Sequence, residues 1–182
     1  MIRKSLALIA ILLLAQLAFA QQTTQPVTTV FLIRHAERAD EPRQDPPLTE
    51  KGVARAEALA RLLSNAGVKA IYTSQFARTK LTAEPLAKQL GVTPTALSLK
   101  ISPSNPRAIA DESTKETVDK ILSHAGGSVL VVGHSNSIPD VIKMLGGDVV
   151  PTIDEKKFDD FFVVTVYANG KAQVTHLKYG AE

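Results

Sequence analysis

The sequence of 182 residues predicts an α/β fold, a three-layer sandwich in which helices flank a mostly parallel central sheet. Short apolar segments of strand length alternate with amphipathic helical segments along most of the chain, which is typical of parallel sheets. Two further apolar segments, near the C-terminus, are separated by a short polar turn and predict a terminal hairpin. The chain has no internal repeat, and residues 21–182 are predicted to form one domain.

The first residues, 1–20, have the three parts of a secretory signal peptide. Arg3 and Lys4 form a basic start, residues 6–14 are all apolar, and Ala18-Phe19-Ala20 is a small-residue cleavage site. The apolar stretch is shorter than the roughly 20 residues that span a bilayer. We therefore expect cleavage near Ala20, no stable membrane anchor, and a periplasmic or secreted protein.

The first half of the mature chain predicts two strands and two helices. Val30 to Ile33 is apolar on both faces, as in a buried strand, and a loop with three prolines comes next at 39–47. Thr49 is a suitable cap for a helix that continues to Ala66 and places Val53 on its buried face. A strand at 68–72 leads to a helix at 76–90, which we expect Pro85 to kink or divide.

The second half predicts an edge strand at 92–99, a loop at 101–110 and two more helices around a strong strand. Ser113 and Glu116 have the spacing of a capping box, which predicts the start of a helix that continues to Ala125. Residues 128–132 form the most apolar strand of the mature chain, and the short helix after it carries Pro139 in its first turn. The terminal hairpin is predicted from residues 161–167 and 172–179.

Polar residues come directly after three of these strands, at the point where each strand ends. They are Arg34-His35, Thr73-Ser74 and Gly133-His134. Ligands of open parallel sheets bind beyond the carboxyl ends of the strands, so we expect these residues to converge on one pocket. A neutral imidazole can attack phosphorus, and a guanidinium donates two hydrogen bonds to phosphate oxygens. The sequence therefore predicts a site for a phosphoryl group.

Four segments, in order along the chain, resemble motifs of the histidine phosphatase superfamily, the phosphoglycerate mutase-like proteins. They are Phe31-Leu32-Ile33-Arg34-His35-Ala36-Glu37, Pro47-Leu48-Thr49-Glu50-Lys51-Gly52, residues 72–83, and Val131-Val132-Gly133-His134. The short chain is similar to the compact branch that includes the phosphohistidine phosphatases. This resemblance implies a phosphomonoesterase that acts on a small phosphorylated substrate through a phosphohistidine intermediate.

The resemblance also implies catalytic and substrate-binding roles for particular residues. His35 is the expected nucleophile, Arg34 and Arg78 the expected phosphate clamp, and His134 the residue that completes the pocket. Glu37 is expected either to contribute to substrate binding by orienting Arg34 through a salt bridge or to be a solvated carboxylate. The implied chemistry requires no metal and no cofactor.

The proton donor for the leaving group is not identified by the sequence. The acid phosphatase branch carries an aspartate directly after its second histidine, but this chain has Ser135. The mutase branch carries a glutamate between the positions of Arg78 and His134, where Asp111 and Glu112 are the nearest candidates. Glu37 and Asp140 are lesser candidates, and a good leaving group could depart without any acid.

Composition excludes several other classes of function. The formal net charge of +3 falls to +1 when Arg3 and Lys4 are removed with the leader, so no attraction to nucleic acid follows. The chain contains no cysteine, which excludes disulfides and thiolate chemistry. Nothing in the sequence favours one oligomeric state over another.

Three alternatives stay open. A non-catalytic phosphate- or phosphosugar-binding module would keep the same pocket without turnover. A serine hydrolase is disfavoured because Gly133-His134-Ser135-Asn136-Ser137 lacks the final glycine of a nucleophile elbow. A mutase would need a closed site that protects the phosphoenzyme from water, and the short chain offers little material for a lid.

Overall fold

The computed structural model describes residues 27–148 and 151–180, and the predicted leader lies outside them. Its centre is a sheet of six strands in the order β3-β2-β6-β1-β7-β8. These strands are β1 (Thr28–Arg34), β2 (Val68–Ser74), β3 (Thr95–Leu97), β6 (Ser128–Gly133), β7 (Asp160–Val166) and β8 (Ala172–Lys178). The first four run parallel. Strand β7 pairs antiparallel with β1 and forms the predicted C-terminal hairpin with β8.

In the part of the chain that the structure describes, four helices cover the two faces of this sheet. They are α1 (Glu50–Leu63), α2 (Ala77–Leu90), α3 (Asp111–Leu122) and α4 (Ile138–Met144). Alternate residues of β1 face opposite sides of the sheet. Phe31 and Ile33 pack with α1 and α2, whereas Val30 and Leu32 pack with α3 and α4. The predicted three-layer α/β sandwich is confirmed. Within the described ranges, no helix has the length and apolar character needed to cross a bilayer.

The register of the parallel strands brings their carboxyl ends to one edge. Arg34 of β1 lies beside Gly133 of β6, and Thr73 of β2 lies beside Val132 of β6. The central strands carry apolar side chains on both faces, so they are stable only in a sheet that helices cover on both sides. The polar residues after these strands therefore start from neighbouring positions.

The N-terminal half differs from its sequence prediction in three details. Helix α1 begins after Thr49, whose hydroxyl accepts a hydrogen bond from the Gly52 amide as predicted, but the helix ends at Leu63. Val53 is 48% exposed, so it lies outside the buried face. Helix α2 is not divided at Pro85, because the adjacent Leu86 and Ala87 are buried in the core and offset the cost of proline.

The capping box predicted at Ser113 is wrong. Helix α3 begins two residues earlier, after Ala110, and has no side-chain cap. The Ser113 hydroxyl instead accepts a hydrogen bond from the Lys100 amide and donates one to the Ser98 carbonyl. The segment predicted as a loop also contains a small hairpin, β4 (Ile101–Ser102) and β5 (Asn105–Ile109). Ser113 does not cap the helix because its hydroxyl is bonded to the backbone of residues 98 and 100. The loop becomes a hairpin because its two halves pair with each other.

Candidate active site

The two predicted histidines meet at the carboxyl edge of the sheet. His35 comes directly after β1, His134 directly after β6, and their ring centroids are 5.3 Å apart. A hydrogen bond of 3.0 Å from the His35 amide to the Gly133 carbonyl continues the strand pairing to this point. Both side chains are buried. The short distance between the two rings shows the convergence that the strand positions predict.

The ring of His35 is held by a hydrogen bond to the backbone of the next residue. Its Nδ1 atom lies 2.8 Å from the Ala36 carbonyl oxygen, which can only accept, so Nδ1 carries the proton and donates it. Burial lowers the pKa of His35 from 6.5 to about 4, and the neighbouring arginines lower it further against the effect of the backbone hydrogen bond. The ring is therefore neutral at physiological pH, with an unprotonated Nε2 atom.

His134 is held by β2 as well as by its own strand. Its Nε2 atom lies 2.9 Å from the hydroxyl oxygen of Ser74, which also contacts the Thr79 hydroxyl at 3.0 Å. Burial lowers the pKa of His134 to about 3, and the nearby His35 and arginines act in the same direction. The sequence places Ser74 after a predicted strand, and the structure shows that its hydroxyl anchors His134.

The Arg34 guanidinium is fixed by a segment from the far end of the chain. Its Nη1 atom donates to the carbonyl oxygens of Asp154 and Lys157, both at 3.1 Å. The Phe158 ring lies 4.3 Å from the guanidinium carbon and 5.9 Å from the His35 ring. Arg34 Nε is buried and has no hydrogen-bond partner among the described residues, which leaves a charged donor available for an oxyanion.

Arg78 lies at the start of α2 and is positioned in a similar way. Its guanidinium stacks on the Phe76 ring at 4.3 Å, and its Nη1 atom is 3.9 Å from a carboxylate oxygen of Asp45. The Nε atom of Arg78 is also buried without a hydrogen-bond partner. Burial lowers the pKa of both arginines, but a guanidinium stays protonated at any physiological pH.

These four predicted side chains line one open pocket of about 430 Å³. The pocket is also lined by Arg38, Arg43, Gln44, Pro46, Phe76, Ser135, Asn136 and Glu155. Its charge is strongly positive, which suits a tetrahedral oxyanion. Within residues 27–148 and 151–180, no group of three His, Asp or Glu side chains is arranged to hold a metal ion.

The expectation that Glu37 orients Arg34 is wrong. Both Glu37 carboxylate oxygens accept hydrogen bonds from Arg55 of α1, at 2.9 to 3.1 Å. Arg55 also donates to the Tyr179 carbonyl at 2.8 Å. Because Glu37 faces α1, it is not among the side chains that line the pocket.

The carboxylates considered as proton donors lie elsewhere. Asp111 and Glu112 are in the first turn of α3 and line a separate surface depression with Met144. Asp140 is on α4, where burial raises its pKa and the charge of Lys143 lowers it. The structure therefore separates the acids predicted from the sequence from the two histidines.

Arg38 and Glu155 also line the pocket, and they differ in how well the sequence indicates their position. Arg38 reaches the rim, as its position three residues after His35 allows, whereas Lys80 lies in a different groove with Gly91. Glu155 carries no sequence signal, because it belongs to an irregular segment without periodicity or motif. The contacts of Arg34 and His35 with residues 154–158 bring that segment to the site.

The fold and pocket define an α/β protein with a cationic, histidine-bearing site at the carboxyl edge of its sheet. Residues 30–99 match the model of the histidine phosphatase superfamily, branch 1, a stretch that includes Arg34, His35 and Arg78. The predicted resemblance to that superfamily is thereby confirmed. No curated protein sequence matches the chain.

Solved structures show the same fold over most of the chain. A phosphoglycerate mutase from Bacillus anthracis has a TM-score of 0.65 and 21% identity, covering 86% of this chain and 95% of that one. The protein histidine phosphatase SixA, solved with tungstate, has a TM-score of 0.63 and 19% identity, covering 82% and 96%. A mycobacterial glucosyl-3-phosphoglycerate phosphatase has a TM-score of 0.62 and 14% identity, covering 86% and 100%. These structures show that the chain shares their fold, and the family match over residues 30–99 agrees with it.

Proposed function

We propose that the protein is a phosphomonoesterase that hydrolyses a small phosphorylated substrate through a phosphohistidine on His35. The observation that carries this proposal is the meeting of two neutral imidazoles, 5.3 Å apart, with two guanidiniums in one pocket. Each guanidinium has a buried Nε donor without a partner. Such donors stabilise the charge on the phosphoryl oxygens during transfer without having to reorganise.

The reaction proceeds in two displacements. The Nε2 atom of His35 attacks phosphorus as the leaving oxygen departs, while Arg34, Arg78 and His134 hold the remaining phosphoryl oxygens. Water then attacks the phosphohistidine, releases inorganic phosphate and restores the neutral imidazole. The pocket is open on one side, which favours attack by water and therefore hydrolysis over mutase chemistry.

Labelling and turnover test this proposal. We expect wild-type protein to hydrolyse p-nitrophenyl phosphate and to form an acid-labile phosphoenzyme, and we expect His35→Ala to abolish both. His124→Ala is the matched control, because His124 contacts Tyr72 away from the pocket. Persistent labelling of His35→Ala would mean that another residue is the nucleophile. Phosphate binding without turnover by the wild type would favour the non-catalytic binding module.

We also propose that the protein is exported and acts in the periplasm or outside the cell. The support is the sequence of residues 1–20, with its basic start, apolar middle and Ala18-Phe19-Ala20 site. Mass spectrometry of the protein recovered from the periplasm or medium should give an N-terminus at Gln21. An intact N-terminus at Met1 would contradict cleavage.

The substrate of an exported enzyme is expected among phosphomonoesters outside the cytoplasm, such as phosphorylated sugars. A substrate panel tests this expectation. Activity confined to phosphorylated proteins would contradict it.

A further inference from the structure

Glu155 lies in the pocket where the proposed reaction requires a proton donor. An alkoxide is a poor leaving group, so transfer of the phosphoryl group from an alkyl phosphate to His35 requires a proton donor near the departing oxygen. Among the residues that the structure describes, Glu155 is the only carboxylate that lines the pocket with both histidines. Its segment, between α4 and β7, is one that the sequence motifs do not cover.

The backbone on both sides of Glu155 is tied to the phosphate clamp. The carbonyl oxygens of Asp154 and Lys157, one residue before and two residues after it, accept hydrogen bonds from the same Nη1 atom of Arg34. Phe158 then packs on Arg34 and beside the His35 ring. These contacts hold Glu155 at the mouth of the pocket although the residue is itself exposed.

The carboxylate is also electrostatically coupled to the site. Burial lowers the pKa of Arg34, and the negative charge of Glu155 is the largest of the neighbouring charges that raise it. A dianionic phosphoryl group bound to Arg34 and Arg78 would oppose a second negative charge at the same place.

We propose that Glu155 is the proton donor to the leaving group, an inference that rests on the proposed function. As the bond from phosphorus to His35 Nε2 forms and the bond from phosphorus to the substrate oxygen breaks, the Glu155 carboxyl gives its proton to that oxygen. The products of this step are a neutral alcohol, a phosphohistidine and a Glu155 carboxylate. Water attacks the phosphohistidine in the next step, and the proton that it releases restores the carboxyl.

Leaving-group dependence tests the assignment. Glutamine has the size of glutamate but cannot supply a proton, so the test compares wild type with Glu155→Gln on two substrates. Glycerol 2-phosphate releases an alkoxide that needs the proton, whereas p-nitrophenyl phosphate releases a stable anion. The ratio kcat/KM is measured because it reports the transfer to His35 and not the later hydrolysis. Glu112→Gln is the matched control.

We expect Glu155→Gln to lower kcat/KM for glycerol 2-phosphate by about 100-fold or more and for p-nitrophenyl phosphate by less than about threefold. Glu112→Gln should behave as wild type on both substrates.

Three results would overturn the assignment. The first is an equal loss of kcat/KM on both substrates in Glu155→Gln, which would indicate a positioning role. The second is no loss on either substrate in Glu155→Gln. The third is a selective loss on glycerol 2-phosphate in Glu112→Gln. Failure of the proposed function itself is distinct, because the wild type would then neither turn over p-nitrophenyl phosphate nor label His35. Failure of the present assignment leaves both of those activities intact.

Discussion

Among single residues, the burial of His35 sets the pH range in which the proposed nucleophile is available. Burial lowers its pKa from 6.5 to about 4, so the neutral ring should persist down to about pH 4 in the protein without ligand. Titration of labelled histidine rings by NMR measures this midpoint. Phe158→Ala, which removes a ring 5.9 Å away, should raise the midpoint towards 6.5. A wild-type midpoint at or above 6.5 would contradict the structure.

The same pKa difference couples stability to pH. Between about pH 4 and 6.5, the unfolded chain binds a proton at His35 that the folded protein does not bind. The free energy of unfolding should therefore fall as the pH drops from 6.5 to 4. His35→Asn removes this contribution, so urea unfolding at pH 7 and pH 5 should show a smaller loss in the variant than in wild type. An equal loss would indicate that other groups account for the dependence.

Among the secondary-structure elements, helix α2 is capped at its N-terminus by Asp45, a residue of the proline-rich loop. Phe76 precedes the helix and has no capping side chain, whereas both carboxylate oxygens of Asp45 accept from the Ala77 amide, at 2.9 and 3.1 Å. We expect Asp45→Ala to lower the free energy of unfolding by about 1 kcal/mol, measured with urea, because it leaves this amide without its acceptor.

Two controls separate capping from charge. Asp45→Asn keeps an oxygen acceptor and should lose less stability than Asp45→Ala. Asp40→Ala, an exposed substitution in the same loop, should change the free energy of unfolding by less than about 0.5 kcal/mol. A similar loss in Asp40→Ala would mean that Asp45 has no special role.

Across the molecule as a whole, Glu37 and Arg55 connect the end of β1, the middle of α1 and the end of the chain after β8. Arg55 is 6% exposed and binds both Glu37 and the Tyr179 carbonyl. Glu37→Gln leaves a buried guanidinium without its counter-charge, so we expect a loss of about 3 kcal/mol in the free energy of unfolding. Activity on p-nitrophenyl phosphate should be retained at temperatures where the variant is folded, because Glu37 does not line the pocket.

The surface pair of Glu57 and Arg61 provides the comparison. Its atoms are 4.0 Å apart and both side chains are largely exposed, so Glu57→Gln should cost about 0.5 kcal/mol or less. Loss of activity in Glu37→Gln without loss of stability would restore the substrate-binding role that the sequence resemblance implied.

The amino-acid sequence was sufficient to predict the sandwich, its main strands and the position of Arg34, His35 and His134 at one edge. Strands such as Val30 to Ile33 can be recognised because their apolar character is local. Parallel strands then bring the residues after their carboxyl ends to the same edge of the sheet. Motif resemblance added Arg78, whose residue type alone would not distinguish it from a surface arginine.

The partner of Glu37, the true start of α3 and the position of Glu155 became apparent only from tertiary packing. The hydrogen bond from Arg34 to Asp154 joins residues 120 positions apart, and the partner of Arg55 at the chain end is equally remote. Periodicity and capping signals report a few neighbouring residues. The partner of a polar side chain depends instead on the backbone groups and charges around it, many of them distant in sequence. Only the packing of helices against the sheet brings these groups together.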